Sequence, residues 1–301
     1  MIRRLCMLAC AALSSSAPAF GASADEPSQA LAQEWIHLFN GRDLTRWTPK
    51  LTHHESGDNF GRTFRVEDGL LKVRYDEYPD GFNTRFGVLF FDTPYSHYRL
   101  AVEYRFVGEQ AARSPGAWAK RNSGVMIHSQ AAATMTKQQD FPLSIEVQLL
   151  GGLGDGKARP TANMCSPGAE VVYNGALYPS HCLESSAKTY DGDQWVRLEI
   201  IVLGDSLITH IVNGEKVLEY SMSQIGGGMT ANIDPAIKQD GQPLAGGYIA
   251  LQSESHPIDF RKIELLNLQG CMDRKASNYR KYFVRSDKSA CRYDADPAMN
   301  Q

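Results

Sequence analysis

Hydrophobic and polar positions alternate strictly along residues 143–149. The odd positions are apolar and the even positions up to residue 148 are polar: Leu143, Ile145, Val147 and Leu149 against Ser144, Glu146 and Gln148. A period of two places one row of side chains in a core and the other row on the opposite face of a sheet. We therefore predict a strand whose polar face lines a groove, with Glu146 and Gln148 pointing into it. The plain alternative is that Glu146 is a solvated strand residue.

The same alternation recurs along the rest of the chain, interrupted by turn signals. Asp68-Gly69 and Asn213-Gly214 each join two alternating runs, as in two-residue β-hairpins. No long stretch has helical periodicity and no internal repeat is visible, so many short strands favour a β-sandwich over a propeller. Residues 151–190 break the pattern. We expect a long irregular loop there, and such loops in compact domains are usually functional or else wrongly assigned.

The N-terminal residues 1–24 have the features of a signal peptide. Arg3 and Arg4 precede an apolar run at residues 5–13, and either Ala22-Ser23-Ala24 or Ala17-Pro18-Ala19 matches a cleavage site. The apolar run is too short to span a bilayer, and no later stretch reads as transmembrane. The sequence therefore predicts an exported protein, periplasmic or extracellular, with no membrane span.

Composition narrows the remaining possibilities. Removing residues 1–24 from 301 leaves 277 residues, enough for one large all-β domain or two small ones. A net charge of -3 argues against nucleic acid as a partner.

Four cysteines remain after the signal, and in an oxidising compartment they imply two disulfides. Three pairings are possible, and we predict the local one, Cys165–Cys182 with Cys271–Cys291. Their spacing does not fit a structural zinc site.

Face assignment gives a set of candidate site residues. His128 shares a strand face with Asn122, and we expect that face to lie opposite Glu146. His181 adjoins Cys182, whose disulfide would fix it over the groove. The catalytic candidates are thus Glu146, His128 and His181, and the substrate-binding candidates are Gln148, Asn122, Gln252, Glu254, His256 and Trp118. For His128, core packing is an equal alternative, and Trp118 is either a platform for the substrate or a loop anchor.

Several short motifs occur in a familiar order. They are Leu38-Phe39-Asn40-Gly41-Arg42-Asp43-Leu44 with Trp47, Asn122-Ser123-Gly124, Glu146-Val147-Gln148, Asp193-Gln194-Trp195, Val212-Asn213-Gly214, and Gly247-Tyr248-Ile249-Ala250-Leu251-Gln252 with Phe260-Arg261-Lys262-Ile263. In the order and spacing of these motifs the chain resembles the 3-keto-disaccharide hydrolase domain family, over about residues 35–268.

The resemblance implies a fold and a field of activity. The fold would be all-β, a concanavalin A-like jelly-roll β-sandwich, and the activity would lie in glycoside metabolism. Residues 270–294 resemble a small cysteine-clipped repeat appended to secreted bacterial proteins. We read that tail as a short disulfide-clipped accessory module, separate from the sandwich.

The implied chemistry needs three kinds of group. A ketone at sugar carbon 3 acidifies the proton on carbon 2, and the glycosidic oxygen on carbon 1 can then leave by elimination. Addition of water completes a net hydrolysis. Such a site needs a general base, hydrogen-bond donors for the enolate oxygen, and an acid for the leaving group. We assign Glu146 or His181 as the base, and His128 and Gln148 as donors to the ketone oxygen.

Two function classes follow from the sequence. The first is an exported hydrolase or lyase acting on 3-keto-disaccharides or other 3-keto-glycosides. The alternative is a non-catalytic, lectin-like carbohydrate-binding module, because this fold class hosts both. The partner in either case is a carbohydrate or glycoside. No motif requires a cofactor, although the clustered His and Glu candidates leave a divalent metal open. The pattern carries no signal for an oligomeric state.

Overall fold

The structure, a computed structural model, describes residues 34–293, and the predicted signal peptide lies outside them. Within this range the strands are β1 (Ile36–His37), β2 (Trp47–Leu51), β3 (Phe64–Glu67), β4 (Leu70–Val73), β5 (Gly87–Phe91), β6 (His97–Phe106), β7 (Asn122–Ser129), β8 (Ile145–Leu150), β9 (Asn163–Cys165), β10 (Ala169–Tyr173), β11 (Ala176–Leu177), β12 (Cys182–Leu183), β13 (Val196–Leu203), β14 (Ile208–Val212), β15 (Glu215–Ile225), β16 (Tyr248–Ser253), β17 (Ile258–Asn267), β18 (Gln269–Gly270) and β19 (Arg285–Ser286). Short 3₁₀ turns occur at Phe60–Arg62, Ala117–Ala119, Ala132–Thr134 and Lys288–Ala290.

Two antiparallel sheets pack face to face around one large hydrophobic core. One has the strand order β11-β10-β15-β14-β13-β6-β17-β4-β3, with β1 added beside β17. The other has the order β12-β9-β8-β7-β16-β5-β2 and is called the seven-stranded sheet below. This is the all-β sandwich that the alternation predicted, of the jelly-roll type that the family resemblance implied. Among the described residues, no helix is long and apolar enough to cross a membrane.

Both predicted hairpins are present. Asp68 and Gly69 join β3 to β4 with φ values of 55° and 73°, and Asn213 and Gly214 join β14 to β15 with φ values of 49° and 86°. Two-residue hairpin turns of this kind need positive φ at both central positions, which Asn, Asp and Gly adopt at low cost. The turn chemistry therefore set the register of both strand pairs.

The predicted central strand is β8, and its odd positions lie in the core as expected. Ile145, Val147 and Leu149 are fully buried between the sheets, while Glu146 and Gln148 lie on the outer face of the seven-stranded sheet. Glu146 is nevertheless only 6% exposed. The interpretation of Glu146 as a solvated strand residue is therefore wrong.

A covering segment, residues 130–142, closes off part of that outer face. It packs over a small apolar cluster that contains Val88, Phe90, Met126, Met135 and Ala250. Its backbone is fixed by side chains of the opposite sheet edge: the buried Lys50 Nζ donates to the Lys137 carbonyl at 3.3 Å. Thr52 Oγ1 donates to the Gln139 carbonyl at 3.3 Å. The polar face of β8 thus lies beside a covered surface, which explains its burial.

The prediction of an irregular loop over residues 151–190 is wrong in part. Four short strands lie in that segment: β9 and β12 extend the seven-stranded sheet, and β10 and β11 extend the other sheet. They are too short, at two to five residues, for alternation to reveal them.

Both predicted disulfides are present, with S–S distances of 2.05 Å for Cys165–Cys182 and 2.00 Å for Cys271–Cys291.

The tail adjoins the sandwich directly. Strand β18 pairs in parallel with β19, and the Val284 amide donates to the Leu268 carbonyl at 2.8 Å. Cys271 is fully buried. The division of the tail from the sandwich as a separate module stays a prediction.

Candidate active site

A cavity of about 290 Å³ opens on the outer face of the seven-stranded sheet. Its base is formed by the strand residues Asn122, Glu146 and Gln148. One wall is formed by the disulfide between Cys165 and Cys182. In the strand register Glu146 pairs with Cys165, and Cys165 pairs with Cys182. Directly paired residues of neighbouring strands point to the same side of a sheet. The disulfide therefore lies beside the Glu146 side chain.

The Glu146 carboxyl lies across the neighbouring strand β7, over Gly124. A Cβ atom at Gly124 would stand 2.7 Å from both the Cγ and the Oε1 of Glu146. Glycine inside a strand weakens it but allows such a close approach. Gly124 therefore provides the space that the Glu146 side chain occupies.

A second carboxyl, Glu254, meets the same cavity just beyond the end of β16. It is 4% exposed, and its Oε2 has no hydrogen-bond partner. Burial raises the pKa of Glu254 well above its usual range, the nearby charge of Glu146 raises that pKa further, and Arg159 opposes the rise. Burial likewise raises the pKa of Glu146, to about 8.

These two carboxyls form a coupled pair. Two like charges in a buried site cannot both ionise easily, so the pair retains a proton near neutral pH. One member can then act as an acid while the other acts as a base or holds charge, as carboxyl pairs do in enzymes.

The orientation of the Gln148 amide follows from a chain of hydrogen bonds that starts at a backbone group. The Ser185 amide donates to Asn163 Oδ1 at 2.9 Å, which leaves Asn163 Nδ2 as the donor. Asn163 Nδ2 donates to Gln148 Oε1 at 3.0 Å. The NH₂ group of Gln148 is therefore the part left to donate to a ligand in the cavity.

His181 stands where the sequence placed it, on the cavity wall beside Cys182. Its carbonyl accepts hydrogen bonds from the amide of Ser166 at 3.0 Å and from the hydroxyl of the same residue at 3.1 Å. Because Ser166 follows Cys165 and His181 precedes Cys182, these bonds fix the His181 backbone beside the disulfide. Burial lowers the pKa of the imidazole, and its Nδ1 has no hydrogen-bond partner. A neutral imidazole with a free nitrogen can accept or relay a proton.

The structure corrects the placement of His128. Its Nε2 donates to the Gly204 carbonyl at 3.0 Å, it is 1% exposed, and burial lowers its pKa to about 4. The register between β7 and β16 shifts next to His128, whose φ is 50°. That bulge interrupts the alternation on which the expected face depended. His128 therefore packs against a turn of the other sheet and does not face Glu146.

The remaining candidates divide between the cavity and its surroundings. Asn122 lines the cavity with a buried, unpartnered Oδ1, and Trp118 stands at the rim, 55% exposed. Gln252 is buried with an unpartnered Oε1, outside the cavity wall. His256 also lies off the wall, edge-on to Phe106 with ring centroids 5.7 Å apart, and burial lowers its pKa to about 4.

A cation would find oxygen rather than sulfur ligands here. Cys165, His181 and Cys182 approach within 4.8 Å of one another, but both sulfurs are bonded in the disulfide and offer no thiolate. The carboxyls of Glu146 and Glu254, with the free Asn122 oxygen, are the donors that a hard divalent cation prefers. A divalent metal, which the sequence left open, would therefore be held by these oxygen atoms.

Sequence reasoning missed Arg159 and Asn163, which organise the site. Arg159 donates to the backbone carbonyl of Trp118 at 3.2 Å and carries the positive charge that acts on Glu254. Both lie in the segment that was expected to be irregular, so no face could be assigned to them. Gly124 did carry a signal, because a glycine within a strand marks a close approach.

The family model described as "3-keto-alpha-glucoside-1,2-lyase-like domain" matches residues 34–266. The chain belongs to this family. The matched range contains both carboxyls of the pair, Gln148 and His181, so all of the cavity described above lies within the family domain.

The chain is also similar to solved structures, of which two are described here. A candidate glycosyl hydrolase from Parabacteroides distasonis ATCC 8503 has a TM-score of 0.48 and 18% identity, covering 79% of this chain and 96% of that chain. The carbohydrate-binding module CBM66 from Bacillus subtilis has a TM-score of 0.42 and 10% identity, covering 74% of this chain and 96% of that chain. No curated protein matches this chain in sequence.

Proposed function

We propose that this protein is an exported enzyme that cleaves 3-keto-glycosides, among them 3-keto-disaccharides, by elimination across carbons 1 and 2 followed by hydration. The observation that carries the proposal is the buried carboxyl pair of Glu146 and Glu254, which keeps a proton inside a cavity of about 290 Å³. A lectin needs no such poised acid and base, whereas general acid–base catalysis does. The family's own description supports the keto-glycoside as substrate.

The proposed reaction balances with water as the only co-reactant. A base takes the proton from carbon 2, and the released electron pair forms the enolate of the carbon 3 ketone. The ketone then re-forms while carbons 1 and 2 become doubly bonded and the bond to the glycosidic oxygen breaks. That oxygen leaves with the electron pair and takes a proton. Water then adds its hydroxyl to carbon 1 and its proton to carbon 2.

Each step has a side chain suited to it. The ionised member of the Glu146–Glu254 pair, or the neutral His181, takes the carbon 2 proton, and the protonated member gives a proton to the leaving oxygen. The Gln148 NH₂ group, fixed by Asn163, donates to the ketone oxygen as it gains charge. A preorganised donor of this kind is worth about 10²- to 10³-fold in rate. His128 has no part in the scheme.

The decisive experiment uses methyl 3-keto-α-glucoside in D₂O with the purified protein. We expect release of methanol and incorporation of deuterium at carbon 2, because hydration delivers a solvent proton there. Glu146→Gln should lower the rate by about 10²- to 10⁴-fold, the usual effect of removing a general acid or base. The matched control is methyl α-glucoside, which lacks the ketone and should remain intact.

Two results would contradict the proposal. Cleavage with no deuterium at carbon 2 would indicate direct hydrolysis in place of elimination. Binding of the keto-glycoside without any turnover would favour the carbohydrate-binding module instead.

Export is part of the same proposal. Two disulfides among the described residues are typical of proteins from oxidising compartments. Fractionation of cells that express the full chain should recover it outside the cytoplasm without residues 1–24, and a cytoplasmic, unprocessed chain would overturn this part.

A further inference from the structure

A second cavity, of about 370 Å³, adjoins the first. His181 and Met229 line both cavities, so these two side chains stand where the cavities meet. The wall of the second cavity includes Gly227 and Gly228, just after β15, where the Gly168 amide donates to the Gly228 carbonyl at 3.0 Å and the Gly226 amide donates to the Gly168 carbonyl at 3.1 Å. The two adjoining cavities are together called the cleft below.

The lining of the second cavity combines an aromatic ring with oxygen acceptors and hydroxyls. Tyr178 is half-buried there, packed edge-on against Tyr173 with ring centroids 6.1 Å apart. Glu170 contributes a carboxylate that already accepts from Gln224 Nε2 at 2.9 Å. Hydroxyl groups come from Ser166 and Ser180. An apolar face with a few fixed polar groups is the usual make-up of a sugar-binding site.

The volume of the first cavity leaves room for one of the two rings of a disaccharide. The first cavity is at the lower end of the range of about 300 to 1,000 Å³ found for drug-sized ligands, which suits one sugar ring. Its carboxyl pair and Gln148 fit the ring that carries the ketone. A disaccharide must then place its other ring elsewhere, and the second cavity adjoins the first at His181.

We propose that the second cavity is the subsite for the leaving-group sugar, with Tyr178 and Glu170 as its specificity-determining residues. The proposal rests on the proposed function. The scissile glycosidic oxygen then lies beside His181, at the junction of the two cavities. Because Glu170 is a carboxylate, the subsite takes a neutral sugar and disfavours a uronic acid or a sugar phosphate.

The test compares two substrates that differ only in the leaving group, 3-keto-trehalose and methyl 3-keto-α-glucoside. We expect Tyr178→Ala to raise the KM for the disaccharide about tenfold, as for the loss of one aromatic contact, and to leave the methyl glycoside unaffected. Glu170→Gln should reduce the preference for the neutral disaccharide over a disaccharide with a uronic acid leaving group. Leu177→Ala, an exposed neighbour on β11 outside both cavities, is the matched control and should change neither substrate.

The outcomes separate the subsite from the underlying function. If the wild-type protein cleaves both substrates and Tyr178→Ala affects them equally or not at all, the subsite is overturned while the proposed function stands. If the wild-type protein cleaves neither substrate, the proposed function fails and the subsite falls with it. A circular dichroism spectrum of Tyr178→Ala that matches the wild type shows that a KM effect is not due to misfolding.

Discussion

The pair of buried carboxyls is the residue-scale feature with the largest energetic consequence. Each folded-state pKa lies above the unfolded value near 4.5, since burial penalises the charged form. Above that pH the unfolded chain loses these protons while the folded chain keeps them. Rising pH therefore destabilises the fold, by up to about 1.4 kcal/mol per pH unit for each retained proton, until the folded-state pKa is passed.

Replacing one of these carboxyls should therefore stabilise the protein while inactivating it. Glu254→Gln removes an ionisable group that the cavity must keep protonated, so the melting temperature should rise at pH 8 and change little at pH 4.5. Turnover of the keto-glycoside should fall by about 10²-fold or more. Thermal melts at the two pH values, with parallel rate measurements, check both effects. A variant that is less stable at pH 8 than the wild type would contradict the raised pKa.

Gly124 offers a second test at the same scale. Gly124→Ala places a methyl group within 2.7 Å of the Glu146 carboxyl and should displace that flexible side chain. We expect a loss of turnover of at least tenfold with little loss of stability. Gly87→Ala is the matched control, because its Cβ would stand 2.9 Å from the core side chain Leu51 on the other face of the same sheet.

That control should behave in the opposite way. Crowding in the core costs about 1–3 kcal/mol, so Gly87→Ala should be less stable yet fully active when folded. Rates per folded molecule and urea denaturation distinguish the two variants. Full activity in Gly124→Ala would mean that the position of the Glu146 carboxyl does not matter for turnover.

At the scale of elements, the site depends on two short strands, β9 and β12, at one edge of the seven-stranded sheet. Strands β9 and β12 pair through Cys165 and Cys182, which are also bonded to each other, and this pair stands next to Glu146 in the register. A two-residue strand such as β12 has few backbone hydrogen bonds of its own. The disulfide therefore holds His181 at the cavity wall.

Removing each disulfide in turn should separate its roles. Cys165→Ser with Cys182→Ser should release the segment that carries His181, lowering turnover about tenfold or more as well as stability by about 3 kcal/mol. Cys271→Ser with Cys291→Ser should lower stability without affecting turnover at temperatures where the sandwich stays folded. Rates at 15 °C and urea denaturation of both variants test this, and equal losses of turnover would contradict it.

At the scale of the whole molecule, buried titratable groups of opposite type set the pH of greatest stability. Burial lowers the pKa of His128, His210 and His256 to about 4, so the unfolded chain binds more protons than the folded chain between pH 4 and 6.5. In that window stability falls as pH falls. The carboxyl pair acts in the other direction, with stability falling as pH rises above 4.5.

Combining these windows predicts a maximum near pH 6.5. Below it the three histidines outweigh the two carboxyls, and above it only the carboxyls still act. Urea denaturation midpoints at pH 5, 6.5 and 8 should show the highest value at 6.5. In the double variant Glu146→Gln with Glu254→Gln the decline toward pH 8 should disappear, whereas a wild-type midpoint that rises from pH 6.5 to 8 would refute the scheme.

Local pattern determined much of the architecture. Alternation in β8 and the turn residues Asp68-Gly69 and Asn213-Gly214 act through neighbours in sequence, so the strands, the hairpins and the sandwich could be predicted from them. Glu146 and His181 were found in the same way, from a strand face and from a neighbouring cysteine. The short strands β9 to β12 were missed because two to five residues are too few for a period to show.

The tertiary structure alone decided the chemistry of the site. Burial of Glu146 depends on the covering segment and on Gly124, and the pairing of Glu146 with Glu254 joins two positions more than a hundred residues apart. The bulge between β7 and β16 removed His128 from the face that alternation gave it. Sequence periodicity assigns a side chain to a face of a sheet. Packing between distant segments determines whether that face is exposed to water. Desolvation by that packing shifts the pKa of an ionisable side chain on the face.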